Sequence, residues 1–124
     1  MASHGAQLAN AGAFSEPLWL WAWSGVCIGY RVGDSLFTCE GVEFGRFIGA
    51  EVYSAEGRYL GELIEAGDGS RLTTSVYKKS RTRDGFVPTL GRAYKRPRNR
   101  AEEPLFCGHE TFPSAEAIWN RSIM

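Results

Sequence analysis

The chain has 124 residues, 14 basic and 14 acidic side chains, two histidines and three cysteines, for a formal net charge of zero. That length suits a single domain that buries a core without disulfide staples. The cysteine spacing matches no zinc motif, and so few histidines make a His-containing metal site an unexpected one. Charge is unevenly placed: residues 1–68 carry three basic and nine acidic groups, residues 69–100 ten basic groups against Asp84 alone, and residues 101–124 one basic against four acidic.

Residues 1–16 are rich in Ala, Gly and Ser without a sustained period and read as a flexible leader. The apolar run Leu18–Tyr30 is interrupted by Ser24 and Gly25. It falls short of the roughly 20 residues that cross a bilayer, so no transmembrane span is expected. Gly25 and Gly29 have the spacing of a membrane helix-dimer motif. The same spacing recurs at Gly41 and Gly57 among charged residues, however, and belongs to a repeat.

That repeat has an interval of 16 residues between Leu20 and Ile64. Gly25, Gly41 and Gly57 form one column, and Gly29, Gly45 and Gly61 a second. Leu20, Leu36 and Val52 align, followed by Trp21, Phe37 and Tyr53 and then by the small Ala22, Thr38 and Ser54. Ile28, Phe44 and Leu60 form an apolar column, as do Val32, Ile48 and Ile64. An apolar run, a glycine turn and a second apolar run make a β-hairpin, because the turn needs a positive φ. The predicted hairpins are 17–34, 35–50 and 51–66. Glycine within a strand costs about 0.5–1 kcal/mol against alanine, so the second column implies crowding. Its alternatives are close packing in a small barrel, or a ligand or lipid chain along a glycine-lined axis.

Gly67-Asp68-Gly69-Ser70 reads as a loop that breaks the phase. A fourth unit is expected from Arg71-Leu72 through Thr74, Val76 and Tyr77, without the paired glycines and irregular as terminal repeats are. From Lys78 to Arg100 the chain is basic, punctuated by Pro88, Gly91 and Pro97, and reads as a loop or extended segment wrapping the barrel, with partial disorder as the alternative. Ser114 is a candidate N-cap for a short C-terminal helix that buries Ile118 and Trp119. The organisation expected is a leader over 1–16, a hairpin-repeat β domain over 17–83, and a basic extended segment with a docking helix over 84–124. The fold class is all-β, a pseudo-symmetric small barrel. Cys27 and Cys39 are expected to be reduced core or turn residues.

Leu20-Trp21-Ala22-Trp23-Ser24-Gly25, Leu36-Phe37-Thr38-Cys39-Glu40-Gly41 with Phe44-Gly45, and Val52-Tyr53-Ser54-Ala55-Glu56-Gly57 with Leu60-Gly61 resemble the four-fold β-flower proteins. In that family hairpin petals surround a pseudo-symmetry axis as a shallow barrel. The resemblance covers about residues 17–83 and brings no established activity and no functional residues. Tyr59-Leu60-Gly61-Glu62-Leu63 also resembles the core of MORN-type meanders. The β-flower shape is similar to Tubby-like and scramblase-like barrels, which implies a membrane-lipid role by fold analogy.

The functional lead is the irregular basic stretch outside the repeat. The basic residues Arg71, Lys78, Lys79, Arg81, Arg83, Arg92, Lys95, Arg96, Arg98 and Arg100 suit an anionic lipid surface. Of these, Arg71, Lys78, Lys79, Arg81, Arg83, Lys95, Arg96 and Arg98 are the candidate ligand-binding set. The competing explanation is neutralisation of the acidic N-terminal half within the molecule. A second function is nucleic-acid binding through residues 71–100, with Tyr77, Phe86 and Tyr94 interleaved for stacking. An enzyme built on Cys107, His109 and Glu110 is not expected, since such a string is catalytic only in the right spatial arrangement. The expectation is a non-catalytic binding or scaffolding module without cofactor or metal. It would meet an anionic membrane or a protein partner, in a bacterial-type cytoplasm or at the membrane face.

Overall fold

Short aromatic and β-branched runs on either side of a glycine turn favour paired strands over helix. The computed structural model describes residues 17–66, 69–105, 107–115 and 117–118; the expected leader and Trp119 lie outside them. Its strands are β1 (Leu18–Ala22), β2 (Cys27–Val32), β3 (Ser35–Phe37), β4 (Glu43–Ile48), β5 (Glu51–Tyr53), β6 (Tyr59–Ala66), β7 (Gly69–Ser75) and β8 (His109–Thr111). Each pairs antiparallel with the next. A parallel pairing of β1 with β7, Trp21 opposite Arg71 and Ala22 opposite Leu72, closes seven strands into a mixed barrel. β8 is an additional strand on β7.

The three hairpins of the repeat are β1–β2, β3–β4 and β5–β6. Their turns are alike: Gly25, Gly41 and Gly57 have φ of 95°, 90° and 90°. The N–H groups of these glycines donate to the carbonyls of Ala22, Thr38 and Ser54 at 2.9, 2.9 and 2.8 Å. A register shift recurs at the same place in each unit, between Leu20 and Trp21, Leu36 and Phe37, and Val52 and Tyr53. A bulge there raises the local twist, which lets such short strands curl into a closed ring.

Leu20, Leu36, Val52 and Leu72 are all 0% exposed. They form one core cluster with Phe44, Phe47, Leu60, Phe112 and Ile118. Side chains therefore occupy the barrel centre, and the second glycine column is a matter of close approach. A Cβ at Gly29 would lie 2.0 Å from the Phe37 carbonyl oxygen, and one at Gly61 would lie 2.4 Å from that of Thr73.

The fourth unit differs from its expected form. Its first strand is β7, but Val76–Lys78 is a single 3-10 turn and the returning strand, β8, begins only at His109. The glycine turn of the other units is here replaced by a long excursion, residues 76–108. The boundary expected at residue 83 falls inside that excursion, and β8 on its far side joins the same sheet as the strand added to β7. At the C-terminal end Ser114 does cap: its Oγ accepts from the Ala117 N–H at 3.1 Å and its carbonyl from the Ile118 N–H at 3.1 Å. Helix is assigned at Ala115, Ala117 and Ile118; no helix of seven or more residues occurs among the described residues, which do not establish the expected C-terminal helix.

Candidate binding surface

Residues 76–105 form a strap across the turn end of the barrel, meeting the hairpin turns in reverse order. At the third hairpin the Arg81 carbonyl accepts from Tyr59 N–H (3.1 Å), Arg83 N–H donates to Gly57 O (2.7 Å) and Phe86 N–H to Ala55 O (2.9 Å). At the second, the Thr89 carbonyl accepts from Glu43 N–H (3.1 Å), Gly91 N–H donates to Gly41 O (2.6 Å) and Tyr94 N–H to Cys39 O (2.7 Å). At the first, Asn99 Oδ1 accepts from Cys27 N–H (3.3 Å) in place of a carbonyl. Arg100 N–H then donates to Gly25 O and Glu103 N–H to Trp23 O, both at 2.8 Å. The strap thus repeats one three-bond docking unit, and the repeat of the barrel dictates it.

The turn glycines serve this docking as well as the turn. A Cβ at Gly25, Gly41 or Gly57 would stand 2.0, 2.6 or 1.9 Å from the carbonyl oxygen of Arg100, Gly91 or Arg83. Aromatic side chains add anchorage. Tyr94 meets Trp19 and Tyr30 edge-on, with ring centroids 5.7 and 5.0 Å apart. Tyr30 Oη donates to Arg92 O at 2.5 Å. The indole N–H groups of Trp21 and Trp23 donate to the carbonyls of Arg98 and Pro104.

The deepest polar anchor is Glu43, buried at the start of β4. It takes Arg46 Nε at 2.7 Å and both the N–H and the hydroxyl of Thr89, at 2.9 and 3.0 Å. Burial alone would raise its pKa, but the hydrogen bonds from Arg46, Ser35 and Thr89 outweigh that and hold it below the usual carboxylate range.

The eight candidate site residues have different fates. Arg71 is 0% exposed, so it leaves the candidate surface set; its Nη1 donates to Ala22 O at 3.3 Å and Trp23 O at 3.1 Å at the barrel closure. Lys78 Nζ lies between Glu62 at 2.8 Å and Glu51 at 3.2 Å, and these carboxylates push its pKa up. Arg81 pairs with Glu51, and Lys79 with Glu110 at 2.7 Å. Internal neutralisation therefore accounts for Lys78, Lys79 and Arg81. Arg96 is exposed, with Nη1 donating to Cys27 O at 2.8 Å at the lip of a cleft of about 250 Å³.

Arg83, Lys95 and Arg98 are exposed and make no ion pair among the described residues, as do Arg92 and Arg58. Arg83 lies over the Tyr53 ring at 5.7 Å. Of the aromatics suggested for base stacking, Phe86 carries the Arg46 guanidinium on its ring at 4.2 Å and Tyr94 is in the anchoring cluster. Tyr77 alone of the three is strongly exposed.

No protein family, curated protein or solved structure matches this chain.

Cys27 and Cys39 are free and buried, as expected; burial pushes the Cys27 thiol up to about 11. Cys107 is exposed on the turn before β8, and Glu110 is engaged by Lys79. Among the described residues no helix is long and apolar enough to cross a membrane, and no group of three or more His, Cys, Asp or Glu side chains is placed to hold a metal ion. Sequence reasoning missed Glu43, which looks like any polar residue of an alternating strand. It also missed Val87 and Leu90, two apolar residues within a basic run that are 82% and 83% exposed.

Proposed function

We propose that this protein is a non-catalytic binding module that docks on an anionic membrane surface through its strap. The observation that carries the reading is the segregation of cations. Lys78, Lys79 and Arg81, near the start of the strap, are used internally, whereas Arg83, Arg92, Lys95 and Arg98 face solvent without an ion-pair partner among the described residues. Each basic side chain near an anionic bilayer contributes about 1 kcal/mol of attraction. The filled barrel centre supports a surface over an internal cavity as the place of binding. Three like hairpins and an opened fourth also support the resemblance to β-flower proteins as a pseudo-symmetric scaffold, on which the strap is the functional part. Engagement of Phe86 and Tyr94 within the molecule argues for this reading over nucleic-acid stacking.

The test is co-sedimentation with phosphatidylcholine vesicles with and without phosphatidylserine. Binding is expected only to the anionic vesicles, falling with salt and reduced severalfold by the combined change Arg83→Ser, Arg92→Ser, Lys95→Ser and Arg98→Ser. Equal binding by that variant, or stronger retention on single-stranded RNA than on vesicles, would overturn it.

A further inference from the structure

The middle of the strap holds two apolar side chains out from the barrel on a segment that the fold keeps still. Val87 and Leu90 are 82% and 83% exposed, more than any large hydrophobic residue in the barrel strands. Between them the chain is pinned. Thr89 is fastened to the buried Glu43 by its N–H and hydroxyl, and its carbonyl accepts from Glu43 N–H. Arg46 Nη2 reaches the Val87 carbonyl at 3.4 Å, Leu90 pairs with Val42, and Gly91 N–H bonds Gly41 O at 2.6 Å. Pro88 removes further backbone freedom at the tip. With Thr89 turned inward, the alternation of an extended chain turns Leu90 outward.

We infer that Val87 and Leu90 form a preorganised apolar wedge that enters the interfacial region of a lipid bilayer while the flanking cations hold its anionic headgroups. This deepens, and rests on, the membrane reading of the strap. The occupant follows from charge: Arg83 precedes the tip, Arg92 and Lys95 follow it, and Asp84 is the one acid between Lys78 and Arg100. An apolar point within a cationic rim matches a surface with anions outside and hydrocarbon beneath. Because the hydrogen bonds above already order the segment, insertion loses little conformational freedom.

The experiment compares wild type with Val87→Ser/Leu90→Ser on phosphatidylserine-containing vesicles at low and high salt. Both side chains are exposed, so the melting temperature of the double variant is expected to match wild type. Wild-type binding is expected to keep a salt-resistant part, and the double variant to lose it with an overall drop of about tenfold or more in affinity. A double variant that binds like wild type at both salts would overturn the wedge and leave the electrostatic reading standing. Failure of wild type itself to bind anionic vesicles would sink both. If wild type instead self-associates in sedimentation velocity, and the double variant is monomeric, the tip is a contact between copies and the lipid assignment is wrong.

Discussion

Glu43 and Thr89 stand 46 positions apart and form the firmest link between barrel and strap: one carboxylate oxygen takes both the backbone N–H and the hydroxyl of Thr89, at 2.9 and 3.0 Å. The geometry is that of a carboxylate binding a segment of its own chain. Glu43→Ala removes the acceptor for Thr89 and the partner of Arg46 together. Hydrogen bonds to a charged group contribute about 1.5–3 kcal/mol each, and the half-exposed Arg46 recovers some solvation, so a net loss of about 2–3 kcal/mol is expected. Urea unfolding reads that loss. Limited trypsin digestion is expected to cut first at Arg83 and Arg92, and cleavage spread evenly along the chain would contradict a local anchor.

The same group sets an acid limit. Glu43 has a folded pKa below its unfolded value, so its contribution is present above about pH 4.3 and is lost as pH falls through the folded value. Glu51 has the same sign, lowered by hydrogen bonding from Tyr53 and by Lys78 and Arg81 against an opposing effect of burial. Lys78 has the opposite sign: raised by Glu62 and Glu51, it stabilises fully below about pH 10.4 and loses that contribution as pH rises through its folded value. Stability by urea midpoint should be flat between roughly pH 5 and 9 and fall on both sides. Glu43→Gln should flatten the acid limb and leave the alkaline limb alone. An unchanged acid limb would show that other carboxylates govern it.

Two sets of turn glycines should respond differently to alanine. Gly33 and Gly49 have φ of 60° and 62°, with nothing within 4 Å of an added Cβ. Alanine there bears only the left-handed backbone cost, about 1–2 kcal/mol. Gly25, Gly41 and Gly57 bear a backbone cost too, and their Cβ meets a strap carbonyl at 2.0, 2.6 and 1.9 Å. Each of the three is expected to lose clearly more than Gly33 or Gly49, with the strap more protease-sensitive. Equal losses in thermal unfolding of Gly33→Ala and Gly57→Ala would mean that the strap yields freely at that contact.

The difference between these glycines also marks how far the sequence reveals the fold. The 16-residue period, its hairpins and the small barrel are legible because turn glycines and alternating apolar columns are local signals. The crowded column at Gly29, Gly45 and Gly61 is legible for the same reason. The path of the strap is not. Its docking bonds run between backbone groups at Arg83 and Gly57, Gly91 and Gly41, and Arg100 and Gly25, and backbone bonds carry no side-chain signature. The fourth unit is half legible: Leu72 continues the core column, but its returning strand lies beyond the excursion. Arg71 misleads for a related reason, since composition groups it with the strap while strand pairing places it beside Trp21.

Arg71 gives the sharpest separation of structural from surface cations. It is fully buried where β7 meets β1 in parallel, and Nη1 holds the carbonyls of Ala22 and Trp23 at 3.3 and 3.1 Å as the chain leaves β1 for its turn. Arg71→Met removes the charged donor from carbonyls that keep the N–H groups of Gly25 and Glu103, and a hydrogen bond to a charged group contributes about 1.5–3 kcal/mol. A total loss of about 3 kcal/mol is therefore expected in urea unfolding. Arg71→Lys should rescue little, because an ammonium on a flexible stem does not reproduce the planar fork. Vesicle binding per folded molecule should be unchanged in Arg71→Met, whereas Lys95→Ser and Arg98→Ser should weaken binding and leave the urea midpoint in place. Loss of vesicle affinity without loss of stability in Arg71→Met would return Arg71 to the surface and contradict its place at the barrel closure.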